Sequence, residues 1–477
     1  MHPSWVVSVP SAASISAPAE GQIAVAGPAG RLLLRRLSPA LGDALARLAY
    51  PGERLADLLA AVEGDREPGA TARLLYFLRL LADRGLLWMT AVADGAMLAT
   101  LAPAGRGPAL THERIASGPG VLSRFAYLRR AGSETLLESP LSSAKVFLHD
   151  WRAAAMLHAL SAAPGLAGSA GTIPGLSPDA VEAFVTLLGS AGMLTPVNPA
   201  GACAEDEHAS LMAWEFHDLA FHARSREGRH DAPVGNTYRL AGRLAQPPVV
   251  KPPVSSQVMD LVRPNLEALA RHDPPLVRVM EQRRSLREYG AEPITADQLG
   301  EFLWRTARIQ EAYEFDVLTP LGTMRLGLTS RPYPTGGALG ALEVYPVVRA
   351  CGNLERGLYH YDPLGHRLER LADWTPEVQH LSDHAGVAMG QAPDRVQVLL
   401  VLAARFQRVS WKYSTLAYSL ILKDVGGLMQ TMYLAATAMN LAPCAIGVGD
   451  SDRFAKAIGS DYYAETSVGE FALGSRK

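Results

Sequence analysis

The stretch WKYSTLAYSLILKDVGGLMQTMYLAATAMNLAPCAIG, residues 411–447, decides the fold of the C-terminal half. Apolar residues recur three and four positions apart within it, which predicts a long helix from about Tyr413 to Leu441. No charged residue lies between Val425 and Gly449, a length sufficient to cross a membrane. Four glycines and several polar residues interrupt that run, however, so it indicates a helix buried inside a protein.

Short apolar runs and a second helix precede the long helix. Leu342–Val348 and Val396–Ala403 predict strands, and Thr295–Thr306 predicts a helix. Pro346 lies inside the first strand and predicts an edge strand or a bulge, because proline cannot donate to a sheet ladder. This mixture predicts an α+β fold for the C-terminal domain.

The N-terminal part contains one pattern twice, in residues 32–87 and 144–195. Each copy has two helices followed by a glycine and a short apolar strand, the outline of a winged-helix module. The helices are predicted at Arg54–Val62, Thr71–Arg84, Val146–Ala162 and Ser177–Ser190. The whole chain is therefore predicted to comprise winged-helix-like modules at 1–105 and 106–195, a connector at 196–255 that ends proline-rich, and an α+β domain at 256–477.

The repeated modules allow more than one function. Winged helices often bind DNA, but the second helix of each copy lacks the basic face that phosphate neutralisation requires. The remaining alternatives are a peptide clamp, in which an extended segment adds a strand to a sheet edge, and a structural spacer. The sequence leaves these two open.

Composition excludes several classes of protein. The 477 residues are 48% hydrophobic and 19% charged with a net charge of −2, which predicts a folded chain and disfavours nucleic acid as a partner. The cysteines Cys203, Cys351 and Cys444 form no CxxC pair, and His217 and His222 lack the i, i+4 spacing of helical ligands, so no metal site is expected. The N-terminus has no secretory pattern, and a cytoplasmic location is expected.

Three loops carry the residues of a candidate ligand site. Arg283, Arg284, Ser285 and Arg287 concentrate three guanidinium groups and a hydroxyl, which suits a phosphate, although a solvated basic patch has the same composition. The segment Pro334–Gly337 combines a stiff proline with two glycines that permit close approach to a flat ligand, or form a tight turn. The glycine-rich segment around Gly447 follows the long helix and offers further N–H groups, or simply ends the helix.

Six blocks of the sequence resemble the flavin mononucleotide (FMN) fold of the nitroreductase superfamily and, more closely, the SagB-type azoline dehydrogenases, which make thiazoles and oxazoles in ribosomally made peptides. The blocks are WEFHDLAFHARSREGRHDAPVGNTY (214–238), RRSLREYG (283–290), SRPYPTGGALGALEVYPV (330–347), GLYHYDPLGHRLE (357–369), the stretch 411–447 and ETSVGEFALG (465–474). Members of this length, notably cyanobactin-type oxidases, also carry winged-helix-like peptide clamps before a nitroreductase-like domain with an antiparallel-rich sheet flanked by helices.

The resemblance implies an FMN site and assigns its residues. It implies phosphate binding by Arg283, Arg284, Ser285 and Arg287. It places Pro334, Thr335, Gly336 and Gly337 along the isoalloxazine ring and the N–H of Gly447 opposite flavin N5. Lys412 and Tyr413 match the pair implicated in azoline oxidation. Family dimers share the flavin site between subunits, with the long helix near the two-fold axis, so the resemblance also implies a homodimer.

Three positions depart from better-known members of that family. Leu416 and Ser419 stand where those members have arginine, and Gly427 stands where they have histidine. Any substrate or flavin contact made by those side chains is missing here, whereas Lys412 and Tyr413 are kept.

Azoline oxidation removes a proton from the ring carbon that bears the peptide carbonyl and a hydride from the same ring. A base is needed, and either Tyr413, ionised beside the Lys412 ammonium, or a desolvated neutral Lys412 fits that role. Because neighbours on a helix point about 100° apart, the pair is expected just before the long helix begins.

The sequence thus predicts an FMN-dependent enzyme that oxidises azolines to azoles in a precursor peptide, with a cyclodehydratase as a possible partner. One alternative is a nitro- or quinone reductase that uses NAD(P)H. Another is a non-catalytic scaffold that presents the precursor peptide to a cyclodehydratase.

Overall fold

The computed structural model describes residues 2, 4–27, 30–63, 68–104, 120–162 and 173–477. They form two compact units, Met1–Ala232 and Pro233–Lys477. The division between the units lies inside the predicted connector, 196–255, and the module boundaries proposed from the sequence stay predictions.

The first unit contains an antiparallel sheet with helices. Its strands are β1 Val6–Ser8, β2 Ser14–Ile15, β3 Gln22–Gly27, β4 Gly30–Arg35, β5 Glu53–Arg54, β6 Trp88–Ala93, β7 Ala96–Pro103, β8 Gly120–Leu122, β9 Tyr127–Ala131, β10 Glu134–Glu138, β11 Ala144–Leu148 and β12 Leu194–Pro196. Its helices are α1 Pro39–Ala46, α2 Leu55–Glu63, α3 Ala70–Asp83, α4 Trp151–Ala162, α5 Pro178–Ser190, α6 Ala204–Glu207, α7 Ala209–Met212 and α8 Phe216–Arg224.

Both halves of the first unit contribute to one seven-stranded sheet, in the order β5-β1-β6-β7-β11-β10-β9. One hydrophobic core joins them and includes Trp5, Leu78 and Phe184. The Trp5 indole donates to the carbonyl oxygen of Ala183 at 2.9 Å, so the start of the chain is tied to the last long helix of this unit. The winged-helix character of the two halves stays a prediction.

The second unit is built from a larger set of strands and one long helix. Its strands are β13 Gly235–Asn236, β14 Val258–Asp260, β15 Glu311–Thr319, β16 Gly322–Ser330, β17 Leu342–Val348, β18 Gly357–Asp362, β19 Arg367–Ala372, β20 Val398–Arg405, β21 Tyr413–Ser414, β22 Leu441–Ile446 and β23 Glu465–Ser475. Its helices are α9 Leu266–His272, α10 Leu276–Gln282, α11 Ala296–Ala307, α12 Pro376–Ala388, α13 Phe406–Ser410, α14 Ala417–Ala438 and α15 Ser451–Ile458, with short 3-10 turns at Gly336–Ala338 and Pro393–Arg395.

The central sheet of the second unit is antiparallel, in the order β14-β19-β18-β17-β20-β23-β22. Alternate residues of β20 enter different cores: Leu400 and Leu402 pack with α11 and α14, whereas Leu399 and Val401 pack with α12 and α15. A strand buried on both faces needs a continuous apolar run, which explains the sequence of β20. The predicted α+β fold is confirmed.

Helix α14 buries one stripe that includes Ile421, Val425, Leu428 and Met432 against the sheet. It ends near Asn440, which adopts a left-handed conformation (φ 54°), and the chain continues as β22. The uncharged run therefore begins as a buried helix, as predicted. It continues as strand β22, which was not predicted, since a loop was expected after the helix. In the part of the chain that the structure describes, no helix combines the length and apolarity needed to cross a membrane.

Buried arginine side chains hold the proline-rich run against the rest of the second unit. The guanidinium of Arg405 donates to the Pro248 carbonyl at 2.7 Å, and that of Arg408 donates to the Pro247 carbonyl at 2.8 Å. Arg408 is fully buried and also donates to the carbonyls of Gly327 and Leu339. Leu339 directly follows the 3-10 turn Gly336–Ala338, so one guanidinium links the proline run to that turn.

Candidate active site

Lys412 and Tyr413 lie in the non-helical link between α13 and α14. Helix α13 ends at Ser410, and Tyr413 begins the two-residue strand β21. The Lys412 ammonium lies 5.1 Å from the centre of the Tyr413 ring, so the two adjacent side chains converge. This agrees with the expectation that the pair precedes the long helix.

The start of the second unit fixes the backbone of this pair. Strand β13 pairs with β21, so that Asn236 lies opposite Tyr413. The N–H of Tyr238 donates to the Lys412 carbonyl at 2.9 Å, and a 2.5 Å hydrogen bond joins the hydroxyls of Thr237 and Ser414. Sequence analysis assigned residues 235–238 to a connector and missed this role, since a two-residue strand leaves no periodic signal.

The 3-10 turn Gly336–Ala338 packs directly on Lys412 and Tyr413. Gly337 has φ 62°, and a Cβ added there would lie 2.5 Å from the Tyr413 hydroxyl oxygen and 3.0 Å from the Lys412 Nζ. Both the conformation and the close approach therefore require glycine at this position. The structure thus brings Gly336 and Gly337 together with the predicted catalytic pair.

Asp424 of α14 anchors the same turn and was not recognised from the sequence. Its carboxylate accepts from the Gly336 N–H, with its two oxygens 2.9 and 3.1 Å from the nitrogen. Next to this bond, a Cβ added at Gly427 would lie 3.1 Å from Cγ of Pro334, so the turn rests on the helix without a side chain between them. Any side chain at position 427, including the histidine of better-known family members, would require Pro334 to move by a few tenths of an ångström.

The other two departures lie at the start of α14. Leu416 is the residue before the helix, and Ser419 lies in its first turn. Leu416 accepts the first helical hydrogen bond, from the Leu420 N–H at 2.9 Å. The structure gives no reason for the absence of arginine at either position.

Burial shifts the proton affinities around the pair in opposite directions. Desolvation lowers the pKa of Lys412 below its usual value and raises the pKa of Tyr413, to which the charges of Tyr238 and Asp424 add. Desolvation also raises the pKa of Asp424 to about 6, although the bond from Gly336 partly offsets it. These directions favour a neutral lysine and a protonated tyrosine.

The arginine segment lies at the end of α10. A 2.7 Å hydrogen bond joins the Ser285 and Tyr433 hydroxyls, and the Tyr433 hydroxyl accepts from the Ala445 N–H at 2.8 Å. The Arg283 guanidinium lies 5.1 Å above the Tyr433 ring, and Arg284 donates to two backbone carbonyls. Within the described ranges, none of Arg283, Arg284 and Arg287 is paired with a carboxylate, so their charges are available to an anion.

The turn and the arginine segment contact opposite flanks of α14. The turn contacts Asp424, whereas the arginine segment contacts Tyr433. These residues are nine positions apart, about 14 Å along the helix axis and about two and a half turns around it. One chain therefore does not bring Ser285 and Gly337 to a common point.

Gly447 lies at a third place, just after β22. It is exposed, and a Cβ added there would have no neighbour within 4 Å. Two residues later, a Cβ on Gly449 would overlap the carboxylate of the buried Glu470. Burial raises the pKa of Glu470. Glu470 is a second buried acid beside a glycine loop that the sequence did not indicate.

The available groups fit an FMN cofactor. Three unpaired guanidinium groups and a hydroxyl match the charge and donors of a phosphate. The Gly336–Gly337 backbone offers a surface without side chains that suits a flat ring.

Comparisons with known proteins identify what the two parts of the chain resemble. Residues 120–231 match the family model of the cyanobactin oxidase ThcOx, and residues 280–475 match that of the nitroreductase family. A putative nitroreductase of Methanocaldococcus jannaschii is 27% identical over 192 residues, which are 40% of this chain and 84% of that protein. The microcin B17-processing protein McbC of Escherichia coli is 31% identical over 120 residues, 24% of this chain, and the match spans 43% of McbC.

Two solved structures are partly similar to this chain, both with TM-scores below 0.5. A putative nitroreductase from Ralstonia eutropha is 21% identical, with a TM-score of 0.35, and the alignment covers 52% of this chain and 99% of that one. A chain of the E. coli microcin synthetase McbBCD complex with truncated pro-MccB17 is 17% identical, with a TM-score of 0.34, and the alignment covers 55% and 92%.

The antiparallel sheet, the long helix and the matched residues define the second unit as a flavin-dependent oxidoreductase domain of the nitroreductase family. The cyanobactin-oxidase segment before it and the similarity to McbC support the narrower resemblance, to the SagB-type azoline dehydrogenases.

Proposed function

We propose that this protein uses FMN to oxidise azolines to azoles in a ribosomally synthesised precursor peptide. The observation that carries the proposal is the convergence of Lys412 and Tyr413 on the Gly336–Ala338 turn, in a nitroreductase-family domain that follows a ThcOx-type segment. FMN, when bound, supplies the acceptor for the hydride. The protein supplies the base, the orientation and the exclusion of water.

Lys412 is proposed as the base. Burial lowers the pKa of Lys412, which makes the neutral amine easier to reach, and that amine would take the proton from the ring carbon that bears the peptide carbonyl. Tyr413 is proposed to stay protonated and to orient the azoline through its hydroxyl, since its pKa is raised. Of the two alternatives that the sequence left open, the electrostatics support the lysine.

A homodimer is proposed to complete the cofactor site. Because the arginine segment and the Gly336–Ala338 turn contact opposite flanks of α14, one copy would hold the phosphate and the other would cover the ring. In this arrangement Arg283, Arg284, Ser285 and Arg287 bind the phosphate, and Pro334, Thr335, Gly336 and Gly337 line the ring. Gly447 is assigned by family resemblance to the N–H opposite flavin N5.

The first unit is proposed to act as the peptide clamp. Residues 120–231, which match the ThcOx model, lie within it, and a bound leader segment would raise the local concentration of azolines at the active site. A cyclodehydratase that makes the azolines is the expected partner. The three cysteines carry no disulfide, which supports a reducing cytoplasm as the place of the reaction.

The test uses the purified full chain, FMN and a synthetic thiazoline-containing peptide. We expect a yellow flavoprotein and a mass loss of about 2 Da, the two hydrogens that leave the ring. A colourless protein that does not take up added FMN would overturn the cofactor assignment, and an unchanged peptide mass would overturn the reaction.

The similarity to a putative nitroreductase keeps a second candidate, reduction of nitroarenes or quinones with NAD(P)H. Rapid NADPH consumption with a nitroarene, together with an unchanged thiazoline peptide, would favour it. A non-catalytic scaffold is the third candidate. It is supported if the purified chain binds the peptide but leaves its mass unchanged and consumes no NADPH with a nitroarene. Azole formation that survives in the double variant Lys412→Ala, Tyr413→Phe would show instead that these residues are not the catalytic pair.

A further inference from the structure

Asp424 is a buried acid in the middle of α14, and its hydrogen-bond donor is a neutral backbone N–H. Its residue exposure is 5%, and the Gly336 N–H is its hydrogen-bond donor. In the part of the chain that the structure describes, no basic side chain forms an ion pair with it. Burying an unpaired carboxylate costs free energy, so a purely structural contact would be made more cheaply by asparagine or threonine.

The surroundings of Asp424 are the groups of the candidate active site. The turn that it holds carries Gly337, whose backbone approaches the Tyr413 hydroxyl and the Lys412 ammonium. The negative charge of Asp424 raises the pKa of Tyr413 and that of the buried Tyr333. The remaining titratable group near Tyr413 is Tyr238, on the segment that pairs with β21.

We propose that Asp424 is a positioning residue, which holds the Gly336–Ala338 turn against Lys412 and Tyr413 and acts on Tyr413 through its charge. The expected effect on kinetics rests on the proposed function, whereas the bracing of the turn by Asp424 does not. With the charge in place, Tyr413 keeps its proton to higher pH and remains a hydrogen-bond donor over a wider range.

Amide hydrogen exchange tests the bracing without any substrate. Three variants are compared with the wild type: Asp424→Ala, Asp424→Asn and, as a control, the exposed neighbour Lys423→Ala. We expect Asp424→Ala to speed exchange at Gly336 at least ten-fold. Asp424→Asn, which keeps an acceptor oxygen, and Lys423→Ala should remain within a factor of three of the wild type. Unchanged exchange in Asp424→Ala would overturn the bracing.

The pH dependence of azoline oxidation tests the charge. In Asp424→Asn the alkaline limb of the rate profile should move to lower pH with little change in KM, because Tyr413 loses its proton more readily. A merely structural role predicts identical profiles for Asp424→Asn and the wild type, and that result would overturn the role of the charge. If the wild type oxidises no azoline, the proposed function fails, and the exchange experiment still decides whether Asp424 braces the turn.

Discussion

The two segments predicted to hold FMN differ in how the fold supports them. The Gly336–Ala338 turn is fixed from several sides, by Asp424, by the catalytic pair and by Arg408 through the next residue. The arginine segment is held by the Ser285–Tyr433 hydroxyl bond, by the Leu286 N–H on the Pro443 carbonyl at 2.8 Å and by Arg283 over the Tyr433 ring. The side chains of Arg284 and Arg287, however, are exposed and keep more rotamer freedom than the buried groups around the turn.

The sharpest way to test this contrast is to remove the proposed base. Lys412→Met keeps much of the side-chain volume and should lower azoline oxidation about 10²–10⁴-fold, the usual contribution of a positioned base. The rate is measured by mass spectrometry and flavin content by absorbance. Retained flavin with a rate within three-fold of the wild type would show that Lys412 is not the base.

Crowding the turn should have the next largest effect. Gly337→Ala forces a side chain into the left-handed region, at about 1–2 kcal/mol, and adds a clash with the Tyr413 hydroxyl. Gly459→Ala is the matched control, since Gly459 has nearly the same backbone angles as Gly337 (φ 66°, ψ 28°) but no neighbour within 4 Å. Thermal unfolding and activity should fall further in Gly337→Ala. Equal losses in both variants would contradict the close packing at Gly337.

Weakening the arginine segment should affect affinity rather than chemistry. Arg287→Ala removes one charge without breaking an ion pair in the described chain, so stability should change little. FMN affinity should fall about ten-fold, equivalent to about 1.4 kcal/mol, and the loss should shrink at high salt. Fluorescence titration of FMN measures both quantities. An effect independent of salt would argue against a phosphate contact.

The last prediction concerns stability and pH. The pKa of Asp424 is raised to about 6 in the folded chain from an ordinary value of 3.8, so the native state binds the extra proton. Its contribution to stability is therefore present at low pH and is lost as the pH rises between about 4 and 6. Compared with Asp424→Asn, the wild type should lose stability over that interval. Parallel melting curves for the two proteins from pH 4 to pH 7 would contradict the shift.

The sequence predicted the elements with strong periodic patterns. The predicted strand Leu342–Val348 is β17, and the predicted helix Thr295–Thr306 agrees with α11 to within one residue. The prediction of one helix over Val146–Ala162 was wrong at its start, because Ala144–Leu148 is a strand that pairs with β7 and β10. Only a few residues of alternating pattern precede the helix, which is too few to distinguish the two-residue period of a strand from the 3.6-residue period of a helix.

Interactions between distant segments could not be predicted. β17 is an interior strand despite Pro346, because β18 pairs with it only at Val347 and Val348 and leaves the proline free on that side. The expectation of an edge strand was therefore wrong. At Pro346 itself, however, β17 is paired only with β20. Asp424 and Tyr238 carry no local signal, since each acts on a segment far away in the chain.

Arg408 attaches the proline-rich run to the rest of the second unit. A proline carbonyl can accept a hydrogen bond but its nitrogen cannot return one, so a run of prolines is secured from one side only. The guanidinium plane of Arg408 reaches the carbonyls of Pro247, Gly327 and Leu339 at once. A lysine at this position would present a single point charge to three diverging acceptors. The proline-rich run, the β15–β16 hairpin and the end of the Gly336–Ala338 turn are thus all hydrogen-bonded to one side chain, and its removal would loosen all three together.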